Sequence, residues 1–345
     1  MIVKFWGVRG SIPAPPTPSA LKERLKAALT MAFEAKPDPA RLNEFLDGLP
    51  DRRVSTVGGN TPCLEIAEGE DILIIDAGTG INALGRKLSF DNVDPEADRI
   101  RYLVESQNHY MPEASPLFPD SRILHLDILL THTHWDHIQG FPFFAPIYQV
   151  GNSLDIYGRS ASQMREALSL QQSSPFLFPI RLDEAGATIN FHDFPDGVLS
   201  LGPFEVEALP LPHPGGSLAF KVRSQGRTLV FATDYEFVAN DHQSEKSEAA
   251  LAKFLDQADV FISDTQYTFL ESMTKEGWGH SSPLKVAEMA LHAGVGKFFL
   301  FHHDPLYSDL KLYDMLERTT AFTHLLNNGH AMLVDLAIEG REIEV

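Results

Sequence analysis

The chain has 345 residues, and 47 acidic against 28 basic side chains give it a formal charge of −19. With 43% hydrophobic residues it can bury a substantial core, which excludes a disordered chain. The acidity argues against a surface that grips a long nucleic acid, because phosphate binding needs clustered Lys and Arg.

The single cysteine, Cys63, can form no internal disulfide and supplies no zinc–thiolate framework, so it is expected to be a small core residue. No leader pattern opens the sequence MIVKFWGVRGS, and no apolar run is long enough to span a bilayer. The cytoplasm is therefore the expected compartment, with no membrane association. There are 14 histidines, five of them in clusters at 132–137 and 302–303.

Short apolar runs between turn residues predict strands in chain order at Ile2–Trp6, Cys63–Ala67, Asp71–Ile75 and Ile123–Leu130. Further strands are expected at Leu154–Tyr157, Thr188–Phe191, Phe204–Leu209, Leu218–Val222, Thr228–Ala232, Val260–Ser263, Lys297–Phe301 and Ala331–Asp335. Helices are expected at 282–293 and 309–327. No repeat at solenoid periods is visible. Polar residues close several of these strands, as in α/β folds whose sites gather at strand C-terminal ends. A single domain over 1–345 is expected, interrupted by three insertions at about 13–57, 89–122 and 159–182.

The first insertion opens on four prolines and then turns helical. Leu21, Leu25, Leu29 and Phe33 form one apolar stripe, and Leu42, Phe45, Leu46 and Leu49 a second. Asp38-Pro39 between them suits an N-cap followed by proline at the first helical position. A hairpin packed on the body is favoured over a lid or a dimer arm; a homodimer stays open. The second insertion carries His109, Tyr110, Met111 and Phe118, and is expected to tuck against the core rather than to present an aromatic surface. The third follows the histidine motif and is placed as a wall of the site.

His132-Thr133-His134-Trp135-Asp136-His137 directly follows an apolar strand. Strand side chains repeat every two residues, so His132 and His134 can aim the same way, while Asp136 and His137 face a second point nearby. Three imidazoles and a carboxylate suit zinc, manganese or iron. Further polar residues end other apolar runs, where burial alone would penalise them: His213, Asp234 and His302.

This order, with Asp76 closing an earlier strand, resembles the metallo-β-lactamase superfamily over nearly the whole chain. The resemblance implies an α/β fold, a four-layer αβ/βα sandwich, with two divalent metal ions (Zn, Mn or Fe) at one edge. It assigns His132, His134 and His213 to one ion and Asp136, His137 and His302 to the other, with Asp234 bridging and Asp76 as a buried support. His280 in Gly279-His280-Ser281-Ser282, Asp264 in Ile262-Ser263-Asp264, and the segments Gly7–Ser11 and Gly58–Thr61 resemble the phosphodiesterase branch that includes ribonuclease Z. True β-lactamases of this fold place a cysteine ligand downstream of the histidine motif, and Cys63 lies upstream. Flavodiiron oxygen reductases have glutamate where His134 stands.

The implied reaction is hydrolysis of a small phosphodiester, a cyclic nucleotide above all, by a hydroxide bridging the two ions. Asp136 would orient the nucleophile as well as ligate. His280, oriented by Asp264, would protonate the leaving group, against the plainer reading of a helix cap. Arg9 is either a phosphate clamp or half of a structural ion pair. Ser281 or Ser282 could donate to a phosphate oxygen, and His303 could face the substrate. Ribonucleases Z that cut pre-tRNA carry a basic arm after the histidine motif, whereas residues 138–212 here contain only Arg159, Arg165 and Arg181 and no lysine. RNA processing, or small-anion binding without catalysis, are the alternatives.

Overall fold

The computed structural model describes residues 1–89, 123–173, 176–238, 241–326 and 331–345. The second expected insertion, with His109, Tyr110, Met111 and Phe118, lies outside them apart from Ser89. Two seven-stranded sheets make up the frame. The first contains β1 (Ile2–Gly7), β2 (Cys63–Glu68), β3 (Asp71–Ile75), β4 (His125–Leu129), β5 (Ser153–Gly158), β6 (Thr188–Asp193) and the C-terminal β14 (Glu342–Glu344), in the order β14-β1-β2-β3-β4-β5-β6. The second contains β7 (Val198–Leu201), β8 (Phe204–Leu211), β9 (Ser217–Ser224), β10 (Arg227–Ala232), β11 (Val260–Asp264), β12 (Lys297–Phe301) and β13 (Leu333–Leu336), in the order β13-β12-β11-β10-β9-β8-β7.

Period-two alternation decides how the sheets meet. Val3 and Phe5 of β1, Leu64 and Ile66 of β2, and Leu73 and Ile75 of β3 share one buried cluster with Phe220, Phe231, Phe299 and Phe301 of the second sheet. Phe5 touches Phe299 and Phe301 directly, with ring centroids 5.8 and 6.4 Å apart. The opposite face of the first sheet buries Ile74, Ile128 and Ile156 beneath α4 (Ile81–Ser89) and α6 (Ala161–Gln171). Between these helices in the chain comes a single turn, α5 (Trp135–Ile138). On the far face of the second sheet, α9 (Pro283–His292) packs on β11 and β12, and α10 (Asp309–Leu326) on β13. The four layers expected from the resemblance are present.

Within each sheet, half the pairings are parallel. Strands β3 to β6 run parallel, as do β10 to β13, so the strands that precede the site residues end on one edge of the sandwich. The observed β1, β3 and β12 follow the apolar runs closely. Strands β7 and β14 and helices α4, α7 (His242–Phe254) and α8 (Phe269–Thr274) were not expected from the sequence. Strands β7 and β14 lie at sheet edges, are short and keep little apolar patterning.

The first insertion forms α1 (Pro18–Ala35), a 3₁₀ turn at Pro39–Arg41 capped by the Asp38 side chain, α2 (Leu42–Asp47) and α3 (Asp51–Val54). Its main apolar stripe does not pack on the body: Leu21, Leu25, Leu29 and Phe33 are 49–78% exposed. The expected packed hairpin is thus corrected. What ties α1 down is polar, an ion pair between Arg24 and the buried Asp309. No described helix is long and apolar enough to cross a membrane.

Glycine sets how closely the motif loop approaches the strand ends. A Cβ at Gly140, just after the histidine motif, would lie 2.0 Å from the carbonyl oxygen of Gly78. That contact is with backbone and cannot relax by a rotamer change. Gly140→Ala should therefore destabilise the fold by about 1–3 kcal/mol, the usual cost of overpacking a tight contact, and calorimetry should show a lower unfolding midpoint. An unchanged midpoint would mean that the loop can move away freely.

Candidate metal centre

Strand register delivers the site. In the first sheet Ile75 pairs with Leu129, so Asp76 and the turn after it lie beside Thr131 and the histidine motif. In the second, Ala232 pairs with Ser263 and Asp264 with Phe301, so Asp234, Asp264 and His302 leave adjacent strands side by side. Asp76, Asp234 and His302 all adopt left-handed backbone conformations, with φ of 63°, 57° and 59°. Non-glycine residues rarely do so, and such outliers persist only where the surroundings hold them.

Two sets of donor atoms converge. His132, His134 and His213 form one, with His213 Nε2 3.0 Å from His134 Nδ1. Asp136, His137 and His302 form the other, with the two imidazole Nε2 atoms 3.3 Å apart and Asp136 Oδ2 3.2 Å from His302 Nε2. Asp234 stands between them. Its Oδ1 lies 3.9 Å from both His132 Nε2 and His213 Nε2, and its Oδ2 lies 3.2 and 3.3 Å from His137 and His302.

These residues fit bound cations on their own chemistry. His132 Nε2 is buried and has no hydrogen-bond partner, a costly state unless something else engages the lone pair. Three other rings have Nδ1 committed outward, His137 to Asp76 at 2.8 Å, His213 to the Gly279 carbonyl at 2.9 Å and His302 to Gln266 Oε1 at 3.0 Å. Each bond places the proton on Nδ1 and leaves Nε2 as a free ligand atom, the usual support of a metal-binding histidine. Burial pushes His132 well below its ordinary value and takes His213 down to about 4, so both stay neutral. Burial alone would also lower His137, but Asp136, Asp234 and Asp76 outweigh it and raise this imidazole well above the usual range. Their buried negative charge calls for a cation in the cluster.

His280 sits against this cluster. Its Nδ1 bonds Asp264 Oδ2 at 2.7 Å, and its ring stacks on His302 with centroids 5.1 Å apart. Burial opposes protonation, yet the Asp264 charge and hydrogen bond lift the group to about 9. Asp264 also accepts the amide N–H of Asp234 at 3.2 Å, so one carboxylate steadies both the central aspartate and the histidine.

The proposed substrate contacts fare differently. Arg9 is buried and spends its guanidinium on the carbonyls of Gly58, Asp304 and Tyr307 and on Asp309. It is a structural ion pair, which corrects the phosphate-clamp reading. His303 is buried with Nε2 bonded to the Ala337 carbonyl at 2.9 Å, and burial with the nearby Arg9 charge lowers it to about 3; it does not face a substrate. Ser281 Oγ donates to the Tyr235 carbonyl at 2.7 Å, and its hydroxyl is committed there. Ser282 is buried at the N-cap position of α9 without a side-chain cap bond. Phe141 and Phe144 belong to the core, whereas Phe143 is exposed and meets Phe178 of the third insertion edge-on at 5.4 Å.

Sequence reasoning named Asp76 and Asp264 as supports but missed several others that hold the ligands. Gln266 orients His302, Thr131 bonds both oxygens of Asp76 at 3.0 Å, and the Ser11 amide donates to Asp136 Oδ2 at 2.7 Å. Glu236 accepts the amides of Gly277 and Gly279 at 2.8–3.1 Å and so sets the carbonyl that holds His213. Gln266 lies two residues beyond Asp264, and its position was a usable signal; backbone donors leave none. The geometry makes Asp76 a positioning residue. Asp76→Asn should keep the secondary structure but weaken zinc affinity by about 10–100-fold, the typical cost of losing such support, as measured by competition with a chelator. An unchanged affinity would remove Asp76 from this role.

A family model described as "Beta-lactamase superfamily domain" matches residues 73–303, more than half of the chain. The probable metallo-hydrolase YhfI of Bacillus subtilis is 24% identical over 197 residues, covering 53% of this chain and 70% of that protein. A ribonuclease Z of Picrophilus torridus is 41% identical over 88 residues, a quarter of each chain. Among solved structures, YhfI superposes with a TM-score of 0.59 at 18% identity, covering 100% of this chain and 98% of that one. Yeast PDE1 gives 0.56 at 14% identity over 83% and 95% of the two chains. The four-layer sandwich, the matched family model and the His/Asp clusters at one sheet edge together establish that the chain belongs to the metallo-β-lactamase superfamily of metal-dependent hydrolases.

Proposed function

We propose that the chain hydrolyses a small phosphodiester, with a cyclic nucleotide as the favoured substrate, on two divalent ions. His132, His134 and His213 would hold one ion and Asp136, His137 and His302 the other, with Asp234 shared. When bound, such ions stabilise charge on phosphate oxygens and lower the pKa of coordinated water from 15.7 towards about 7.

The chain's own residues supply the rest. Asp136, whose Oδ2 already takes the Ser11 amide, orients the attacking oxygen. Asp264 keeps the His280 proton on Nδ1 while Nε2 serves the substrate, and the carboxylate favours the charged ring that can give up a proton. The observation that carries the reading is this pair: a half-buried histidine held by a buried aspartate and stacked on a donor cluster is what an alkoxide leaving group needs and what simple anion binding does not. The ribonuclease Z relatives give RNA processing some weight as a second reading. The −19 charge and the three arginines of residues 138–212 favour a small substrate, with no long nucleic acid partner.

The test is turnover of cyclic AMP, bis-p-nitrophenyl phosphate and pre-tRNA by manganese- or zinc-loaded protein. Hydrolysis of the first two with pre-tRNA left intact is expected; cleavage of pre-tRNA alone would favour the second reading, and no hydrolysis would sink both. Chelation should abolish turnover and metal should restore it. His280→Ala should cut kcat on an alkoxide leaving group by about 10²–10⁴, the ordinary contribution of general acid catalysis, and far less on p-nitrophenolate, which leaves unprotonated. Equal losses on both would exclude an acid role.

A further inference from the structure

Arg159 is the one cation of residues 138–212 found beside the candidate metal centre. It follows β5 directly, and the Leu129–Tyr157 pairing sets it level with Thr131 at the start of the histidine motif. There it lines a cavity of about 50 Å³ together with His132, His134 and Gln163. That space is about one or two waters in volume, a small notch at the edge of the centre.

Arg159 is exposed at the rim of this cavity, and one backbone contact holds its guanidinium there. Its Nη1 donates to the Gly215 carbonyl at 2.8 Å, just beyond His213. The backbone of Gly216, at φ 83°, passes close to the same atom. The other two arginines of the segment are engaged elsewhere, Arg181 with Asp183 and Arg165 over the Phe191 ring. Arg159 has no carboxylate partner among the described residues, in a protein with 47 acidic side chains. Arginine with free N–H groups is the side chain best shaped for two-point binding of phosphate or carboxylate.

We propose that Arg159 binds a second anionic group of the substrate, next to the phosphodiester held at the metal centre. Within the cyclic-nucleotide reading, the substrate class is then a cyclic nucleotide that carries a further phosphate or carboxylate close to the scissile linkage, with plain cyclic mononucleotides as weaker substrates of the same centre. This rests on the phosphodiesterase reading for the first group. It also supplies the cationic recognition that the buried Arg9 does not give.

Binding of two product-like probes tests it. Manganese-loaded full-length protein should bind adenosine 3′,5′-bisphosphate about tenfold or more tighter than adenosine 3′-monophosphate by calorimetry, the scale of one charge-assisted bidentate contact. Arg159→Ala should erase most of that ratio, Arg159→Lys should restore part of it, and Arg165→Ala should leave it as it was. Circular dichroism and metal content would establish that the variants fold and load. A ratio that survives Arg159→Ala, or is absent from the wild type, overturns the proposal. A ratio that depends on Arg159, in a protein that hydrolyses no phosphodiester, overturns the phosphodiesterase reading and leaves the anion contact standing.

Discussion

The arrangement turns on Asp234. This buried carboxylate faces histidines of both donor sets, one oxygen towards each. Its backbone turns left-handed two residues after the end of β10. Aspartate tolerates that conformation better than most side chains, and the amide it exposes is caught by Asp264. Burial works against the charged form of Asp234, yet His302 and His137 overcome it and hold the carboxyl well below its usual range. A carboxylate this deep is costly to desolvate and survives where it is compensated; the Thr233 hydroxyl donates to its Oδ2 at 2.5 Å, and cations held by the two donor sets would supply the rest.

The half-parallel design of the sheets explains why such a cluster forms at an edge. Parallel neighbours end in register, so residues far apart in sequence leave the core at one level. Residues 76, 131, 234, 264 and 302 meet for that reason. His213, which follows β8, and His280, in the loop before α9, reach the centre from outside this register, and the ring of His213 is held by a carbonyl of the Gly277–Gly279 turn.

Much of this was legible in the sequence because the ligands are strong signals. HTHWDH after an apolar strand, and single polar residues at the ends of others, admit few structural explanations. The core strands were legible for a related reason: Asp71–Ile75 and Lys297–Phe301 are apolar, bounded and buried. The failures have separate physical sources. Arg9, Ser281 and His303 carry groups that could serve a phosphate or a backbone carbonyl equally well, and only the tertiary packing chooses. The stripe on α1 has proper helical spacing, but spacing cannot tell an inward from an outward face. Supports such as Ser11 N–H and the Gly279 carbonyl act through the backbone, which is the same for every residue type.

Asp309 links distant parts of the chain in a way that bears on how the molecule comes apart. It accepts both Arg9 and Arg24, and two residues beyond Arg9 the Ser11 amide meets Asp136. The helical hairpin of the first insertion is therefore not an ornament that could be trimmed at no cost. Excising it would leave a buried carboxylate with half its charge compensation, at the root of the segment that braces one candidate ligand. Local fraying of α1 and disorder around Asp136 should belong to one cooperative unit, although the two lie in separate parts of the fold.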